Sequence, residues 1–299
     1  MINALITLWQ FTRPHTIIGS ALSVTALYVL VLARPDAVPD HLGVWLPSLI
    51  AALACNVFIT GLNQWSDVEV DRINKPWLPI PAGRLTRSAS LRIVLASLVL
   101  ALGVAAWLSW SFFALIALIS FLGWAYSMPP IQLKRHHFGA ALVITVVRGI
   151  LVNLGFYSHY RALLAGGPGF DPVIGPLTAF VALFSIGIAW FKDIPDTRGD
   201  AEFRFGTLAV HMGRSTALLL GAVVVGFAYL SVLLPAWSGL LPHPLWYTLS
   251  FGLPLVVFVL LAVRLDVDED AQVKRFYLFF WGLFFLAYVV YPMGVLLHP

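Results

Sequence analysis

The chain has 299 residues, 60% of them hydrophobic and 11% charged, with a mean hydropathy of +0.89. An average soluble domain carries about 25% charged residues, so this composition excludes an ordinary soluble protein and points to a polytopic membrane protein. The formal net charge of +4 does not signal nucleic-acid binding, which calls for a basic soluble domain with groove-reading elements.

A helix that crosses a bilayer takes about 20 mainly apolar residues. Runs of this kind predict nine transmembrane helices, over 15–33, 44–62, 91–109, 112–128, 138–157, 173–191, 216–235, 244–263 and 276–297. They are unbroken, as in LRIVLASLVLALGVAAWLSW, whereas a transmembrane β-barrel would show alternating strands of about ten residues. The expected fold class is therefore all-α, with residues 1–299 forming one transmembrane unit. The sole cysteine, Cys55, sits inside a helix and supplies neither a disulfide framework nor a Cys-rich metal site. The opening MINALITLWQFTRPH has no charged n-region with a cleavage site and no Arg/Ser-rich transit extension, so an uncleaved bacterial chain is expected.

Nine spans put the termini on opposite sides. Fifteen of the 18 Lys and Arg residues precede helix 1 or lie between helices 2 and 3, 4 and 5, 6 and 7, or 8 and 9. Arg34 and Arg161 lie on the other face, and Arg148 falls inside a helix. The positive-inside rule makes the first face cytoplasmic, with the N-terminus inside and a bacterial inner membrane as the expected location.

That face also carries two acidic clusters. In NQWSDVEVD, residues 63–71, Asn63, Asp67 and Asp71 are spaced i, i+4, i+8 and would share an arc of roughly 80° on a helix. In FKDIPDTRGD, Asp193, Asp196 and Asp200 are spaced i, i+3, i+7 and would share roughly 60°. Carboxylates so close repel one another unless a cation sits among them, and hard divalent cations prefer oxygen ligands. Mg²⁺ commonly bridges a few carboxylates to substrate phosphates, so two facing Asp clusters point to a magnesium-bound diphosphate. Arg72, Lys75 and Arg84 follow the first cluster, Lys192, Arg198 and Arg204 surround the second, and Lys134 lies between them. Charge-assisted bonds from such groups suit a diphosphate. The acidic run DVDED at 266–270 has no shared helical face and is assigned to solvent.

The stretches NQWSDVEVDRINKPWLPIPAGRLT, YSMPPIQLKR and KDIPDTRGDAEFRFGTLAVHMG together resemble the UbiA superfamily of intramembrane prenyltransferases over nearly the whole chain. Within it, RPHTIIGS, DVEVDRINKPWLP, PPIQLKR, VRGILVNLG and FKDIPDTRGD are most similar to homogentisate phytyl- and solanesyltransferases. Chlorophyll and bacteriochlorophyll synthases are less similar: they open the first motif with Asn-Asp and continue with Asn-Glu-Pro, where this chain has Asn-Gln and Asn-Lys-Pro.

The resemblance implies nine helices and Mg²⁺ held with a prenyl diphosphate by Asn63, Asp67, Asp71, Asp196 and Asp200, with Asp193 on the same face. Lys134, Arg72 and Arg13 would hold the diphosphate or the acceptor. Many members carry an arginine near the proline of the sequel, where this chain reads KPWLPIPAG, leaving that charge to Lys75 or Arg84. The spacing from Tyr126 to Lys134 is longer than in 4-hydroxybenzoate enzymes. The implied reaction joins an allylic, cation-like prenyl carbon to an electron-rich phenol ring, with loss of the homogentisate carboxylate as CO₂. Trp65, Tyr126 and Phe156 are candidates for cation–π stabilisation.

Arg148 stands apart, because a mid-helix arginine costs roughly 2.5–3.5 kcal/mol on insertion scales and must face the bundle interior. Its expected partner is an acceptor carboxylate, a cluster carboxylate, or Asn153 and backbone carbonyls. His15, His136 and His137 read as helix-flanking. A transporter would place its charges mid-membrane in broken helices, yet all but Arg148 lie at helix ends. Chlorophyllide or 4-hydroxybenzoate are the alternative acceptors. Nothing in the sequence sets an oligomeric state.

Overall fold

The computed structural model describes residues 2–40 and 42–297. Its described part is helical, with a single β-bridge between His136 and Gly206. Nine of its helices are long and apolar enough to cross a membrane: α2 (Pro14–Leu32), α3 (Trp45–Ser66), α5 (Arg87–Leu108), α6 (Trp110–Ser127), α7 (His137–Leu164), α8 (Ile174–Glu202), α10 (Arg214–Trp237), α11 (Pro244–Val263) and α12 (Asp270–Leu296). Three shorter helices join them, α1 (Ile2–Phe11), α4 (Val68–Asn74) and α9 (Leu208–Met212). Each predicted span is present.

The lengths depart from expectation where the chemistry lies. The second span runs on to Ser66 instead of ending at 62, and the sixth runs to Glu202 instead of 191, so both acidic clusters begin within membrane helices. Pro195 sits inside α8 without ending it. Thr197 helps here, its hydroxyl donating to the carbonyls of Asp193 and Ile194 at 3.1 and 2.7 Å, as hydroxyl side chains do beside prolines in membrane helices. The first cluster, expected on one continuous face, is interrupted: α3 stops and α4 starts at Asp67, whose backbone leaves the helical region (φ −102°, ψ 15°). The ten-residue α1 is too short to span and hydropathy passes over it. It exposes Leu5, Ile6, Leu8 and Trp9, the apolar face of an interfacial helix, and is tied to α3 by Gln64 donating to the Phe11 carbonyl at 2.6 Å.

Helix starts follow local chemistry. Thr86 and Ser109 cap α5 and α6 by accepting from the backbone N–H of Ala89 and Phe112 at 3.2 and 3.1 Å. Pro14 opens α2, where its missing N–H is harmless. The Asp40 carboxylate gathers the N–H groups of Gly43, Val44 and Trp45 ahead of α3.

The bundle is organised around α8, with 61% of its apolar window buried, while α5 buries only 17% of its own and stands at the periphery. Rings from α8, α10, α11 and α12 pack against each other, as in Phe184 stacked on Phe280 at 4.0 Å. At the end remote from the acidic clusters, Asp171 receives Arg34, Arg161 and the Tyr157 hydroxyl, joining α2, α7 and the approach to α8.

Helix α7 is irregular in its middle. Residues Thr145–Gly155 form a π-helix, a geometry that leaves carbonyls displaced and often marks function. Asn153 gathers two of them, donating to the carbonyls of Gly149 and Arg148 at 2.8 and 3.0 Å and accepting from the Tyr288 hydroxyl at 2.9 Å. Beside it Gly149 lies flush on α8, where an added Cβ would come within 2.5 Å of the Ala182 Cα, a backbone atom that cannot swing aside. Gly149→Val is therefore expected to destabilise the detergent-solubilised protein by about 1–3 kcal/mol, read as a lower melting temperature. Gly103→Ala, where a Cβ meets nothing within 4 Å, should not lower it.

Candidate functional site

The break at Asp67 turns α4 across the end of the bundle and towards the last turns of α8. Asn74, at the end of α4, locks the two together: its side-chain oxygen accepts from the Gly199 N–H at 2.9 Å and its amide reaches Asp200 at 3.4 Å. A Cβ at 199 would meet the Asn74 oxygen at 2.4 Å, so a larger residue there would displace this lock. From the other side the short turn Leu133–Arg135 is pinned to the segment after α8, with Gly206 N–H donating to the Arg135 carbonyl at 2.8 Å and His137 N–H donating to the Gly206 carbonyl at 3.0 Å. This delivers Lys134 to the same place.

The result is a small cavity of about 40 Å³ lined by Asn63, Asp67, Asp71, Asp193, Asp196 and Asp200 together with Lys75, Lys134, Lys192 and Arg13. The lysines divide the carboxylates among them. Lys134 donates to Asp67 at 2.5 Å and to the Ser66 hydroxyl at 2.6 Å, and Asn63 donates to the other Asp67 oxygen at 3.0 Å. Lys75 bonds Asp196 and stands 3.9 Å from Asp71. Lys192 lies 3.3 Å from Asp193 and donates to the Tyr126 hydroxyl at 3.3 Å. Among the described residues no three carboxylates converge on one metal position, and lysine ammonium groups stand among them.

Burial sets the electrostatics. It raises the Asp71 carboxyl from 3.8 to about 6, against the pull of Lys75 and Arg13, and one Asp71 oxygen is buried without a hydrogen-bond partner. Burial also lowers Lys134 below the ordinary lysine value, with the Asp67 charge opposing it.

This polar mouth opens on a larger chamber of about 210 Å³ that runs between α2, α3, α6, α7, α8 and α12. Arg13, Asn63, Tyr126 and Lys192 line both spaces. The chamber wall is mostly apolar, including Val24, Ile59, Ile119 and Phe156, with Thr16, Ser20 and Asn56 as a polar strip and Arg148 and His15 near Trp281. Thus an anionic group can sit at the mouth while an attached apolar chain and an aromatic ring lie inside.

Twelve of the predicted site residues meet at the mouth or chamber: Arg13, Asn63, Asp67, Asp71, Lys75, Tyr126, Lys134, Arg148, Lys192, Asp193, Asp196 and Asp200. Three do not. Arg72 is exposed and pairs with Glu69 at 2.5 Å, because it is one residue and about 100° round the helix from Asp71. Arg198 is exposed for the same reason, two residues from Asp196. Arg84, beyond the turn at Gly83, is exposed and bonds Gln10 and the Trp77 carbonyl, so of the two candidates for the displaced charge Lys75 is the one inside. Phe156 and Tyr126 line the chamber, whereas Trp65 lies under the Arg87 guanidinium, 4.5 Å away, outside it. Arg148 has neither Asn153 nor a cluster carboxylate as its guanidinium partner. Sequence reasoning missed His15, which faces the chamber instead of flanking the helix, and Asn74, the lock between α4 and α8. The Asn74 signal was present as one further helical turn after Asp71.

The UbiA prenyltransferase family model matches residues 22–284. The chain is 36% identical to the homogentisate phytyltransferase of Synechocystis sp., over 96% of this chain and 94% of that protein. It is 35% identical to the chloroplastic homogentisate solanesyltransferase of Arabidopsis thaliana, over 95% of this chain and 75% of that one. A UbiA homologue from Archaeoglobus fulgidus, solved bound to GPP and Mg²⁺, superposes with a TM-score of 0.64 at 16% identity, covering 97% of this chain and 99% of its own. On the strength of the family match and of these relatives, the chain belongs to the UbiA prenyltransferase family.

Proposed function

We propose that the protein transfers a prenyl group from a prenyl diphosphate to homogentisate, with loss of the acceptor carboxylate as CO₂. The carrying observation is that a mouth of five carboxylates and three lysines adjoins an apolar chamber, sharing Arg13, Asn63, Tyr126 and Lys192 with it. That pairing suits a substrate with a doubly charged head and a hydrocarbon tail. The named activities of the relatives from Synechocystis and Arabidopsis support homogentisate as the acceptor. The excess of Lys and Arg on the mouth side supports placing the site at the cytoplasmic face of a bacterial inner membrane.

The donor chemistry of the mouth fits a magnesium ion, which its carboxylates would hold once the lysines between them turn to phosphate. Asp67, Asp71, Asp193, Asp196 and Asp200, with the Asn63 side chain, form an all-oxygen donor set, and Asp71 already offers an unpartnered buried oxygen. When bound, such an ion supplies Lewis-acid stabilisation of the departing diphosphate, an effect worth several kcal/mol. The chain's own groups do the rest. Lys75 and Lys134, released from Asp196 and Asp67, are placed to donate to phosphate oxygens, and Lys192 and Arg13 stand where the head group meets the tail. Tyr126 and Phe156 line the chamber and would stabilise a cation-like prenyl carbon by cation–π contact. The mostly apolar wall of the chamber disfavours water beside that carbon.

The deciding test is incubation of the purified protein in nanodiscs with homogentisate, Mg²⁺ and geranylgeranyl, phytyl and solanesyl diphosphates. A prenylated, decarboxylated product is expected, lost with EDTA and reduced at least about 100-fold by Asp67→Ala or Asp196→Asn, the scale of a contribution near 2.7 kcal/mol. Arg198→Ala and Arg72→Ala, both outside the cavity, should stay near wild type. Absence of product with every tail would overturn the homogentisate reading.

A pH dependence follows from Asp71. Its folded-state carboxyl near 6 exceeds the ordinary 3.8, so ionising it disfavours the metal-free fold above that range and a bound cation offsets the cost. Mg²⁺ affinity measured calorimetrically should therefore fall as pH is lowered through about 6, where a proton competes for Asp71. Asp71→Asn should bind more weakly and show a flatter profile across the same range.

A further inference from the structure

Arg148 is a charge on the chamber wall that lacks an ion pair or side-chain hydrogen bond among the described residues. It projects from the π-helical part of α7 deep within the bundle, and its Nε is buried with no hydrogen-bond partner. Among the described residues it forms no ion pair and its guanidinium donates no hydrogen bond. Its close neighbours are ring faces: Trp281 at 4.9 Å and Phe284 at 5.3 Å, both on α12. Ring faces attract a guanidinium charge but accept none of its five N–H donors. Nor is the placement loose. Gly149 is clamped on Ala182, and Asn153 holds the carbonyls of Arg148 and Gly149 and is itself held by Tyr288.

A buried arginine without a partner is unfavourable, and a rigid scaffold that maintains one in a cavity implies that its partner arrives with a ligand. The diphosphate is a poor candidate, since Arg148 lines the chamber and not the carboxylate–lysine mouth. A planar guanidinium matches a carboxylate in a two-pronged pair. Next to it the His15 imidazole lies edge-on to Trp281 at 4.9 Å, and its nitrogens make no hydrogen bond to any described residue, leaving them available to a ring hydroxyl.

We propose that Arg148 is the receptor for the acceptor's carboxylate and selects acidic over neutral phenols. The chamber then takes its two substrates from opposite ends, the diphosphate at the aspartate mouth and the acid at Arg148, with the reacting ring and prenyl carbon between. This rests on the reading that the chamber admits an aromatic acceptor, and it adds which acceptors are admitted and by which group.

The test compares wild type with Arg148→Met and Arg148→Gln, using melting temperature and calorimetric binding of homogentisate, of methylhydroquinone (the same ring without the carboxylate) and of inorganic pyrophosphate. Wild type should bind homogentisate at least about 30-fold more tightly than methylhydroquinone, the scale expected when a buried charge pair is lost. Both variants should bind the two phenols alike and keep pyrophosphate affinity within about threefold. Without ligand they should melt no lower than wild type, because they remove an unpaired buried charge. A variant that fails to fold or melts lower makes the arginine structural and overturns the proposal. So does unchanged homogentisate affinity, and so does a parallel loss of pyrophosphate binding, which would assign Arg148 to the diphosphate. Failure of the homogentisate reading is seen separately: wild type would then give no prenylated homogentisate, while Arg148-dependent binding would appear with another phenolic acid such as 4-hydroxybenzoate.

Discussion

The structure depends on how five aspartates are kept together at the end of an apolar bundle. Carboxylates at such density repel each other, and burial strengthens the repulsion by weakening screening. The fold answers with lysines drawn from three separate places: Lys75 from the end of α4, Lys134 from the turn after α6, and Lys192 from α8 itself. Each is matched to particular carboxylates, with the Lys134 turn delivered by backbone bonds to Gly206 and the α4 end by the Asn74 side chain. Breaking one partner out of a buried pair is costly because it leaves the other uncompensated. Asp67, Asp71, Asp193, Asp196 and Asp200 would be compensated by a bound cation if Lys75 and Lys134 turned to a phosphate group.

This explains why α3 does not simply continue. If residues 63–71 were one helix, Asp71 would travel on along the axis of α3, away from α8. Stopping at Asp67 and restarting lays Asp71 and Lys75 against Asp196, and lets Asn74 grip α8 at Gly199. The opposite choice is made in α8, which continues through Pro195 so that its three aspartates remain in phase. One cluster is bent and the other straight, and a cavity lies between them.

Much of this was legible in the sequence because it depends on local regularities. Hydropathy marks each of the nine spans, and the spacing of acidic residues marks both clusters. What escaped is of another kind. Arg72 and Arg198 sit beside the right residues in sequence and point away, since direction is set by helical phase and not by proximity. Arg84 was misplaced by the turn that precedes it. His15, Tyr277 and Trp281 meet only because α2 packs on α12, a contact that spans nearly the whole chain. The π-helix leaves no mark in hydropathy, because widening the helical turn shifts side-chain direction without changing composition; only the cost of burying Arg148 hinted that something held it there.

The two ends of the chamber also differ in how their charge is settled, and the difference bears on the order of events. At the mouth every lysine already has a carboxylate, so a cation and a diphosphate binding there would exchange partners. At Arg148 nothing is exchanged: the guanidinium has only the rings of Trp281 and Phe284 beside it, and an arriving anion would add a partner without displacing one. An acid docked there removes an existing electrostatic penalty, whereas a neutral phenol leaves it in place. Discrimination between the two therefore requires no clash with the wrong acceptor. It arises from a half-buried arginine held between α7 and α12 without an ion pair or side-chain hydrogen bond among the described residues.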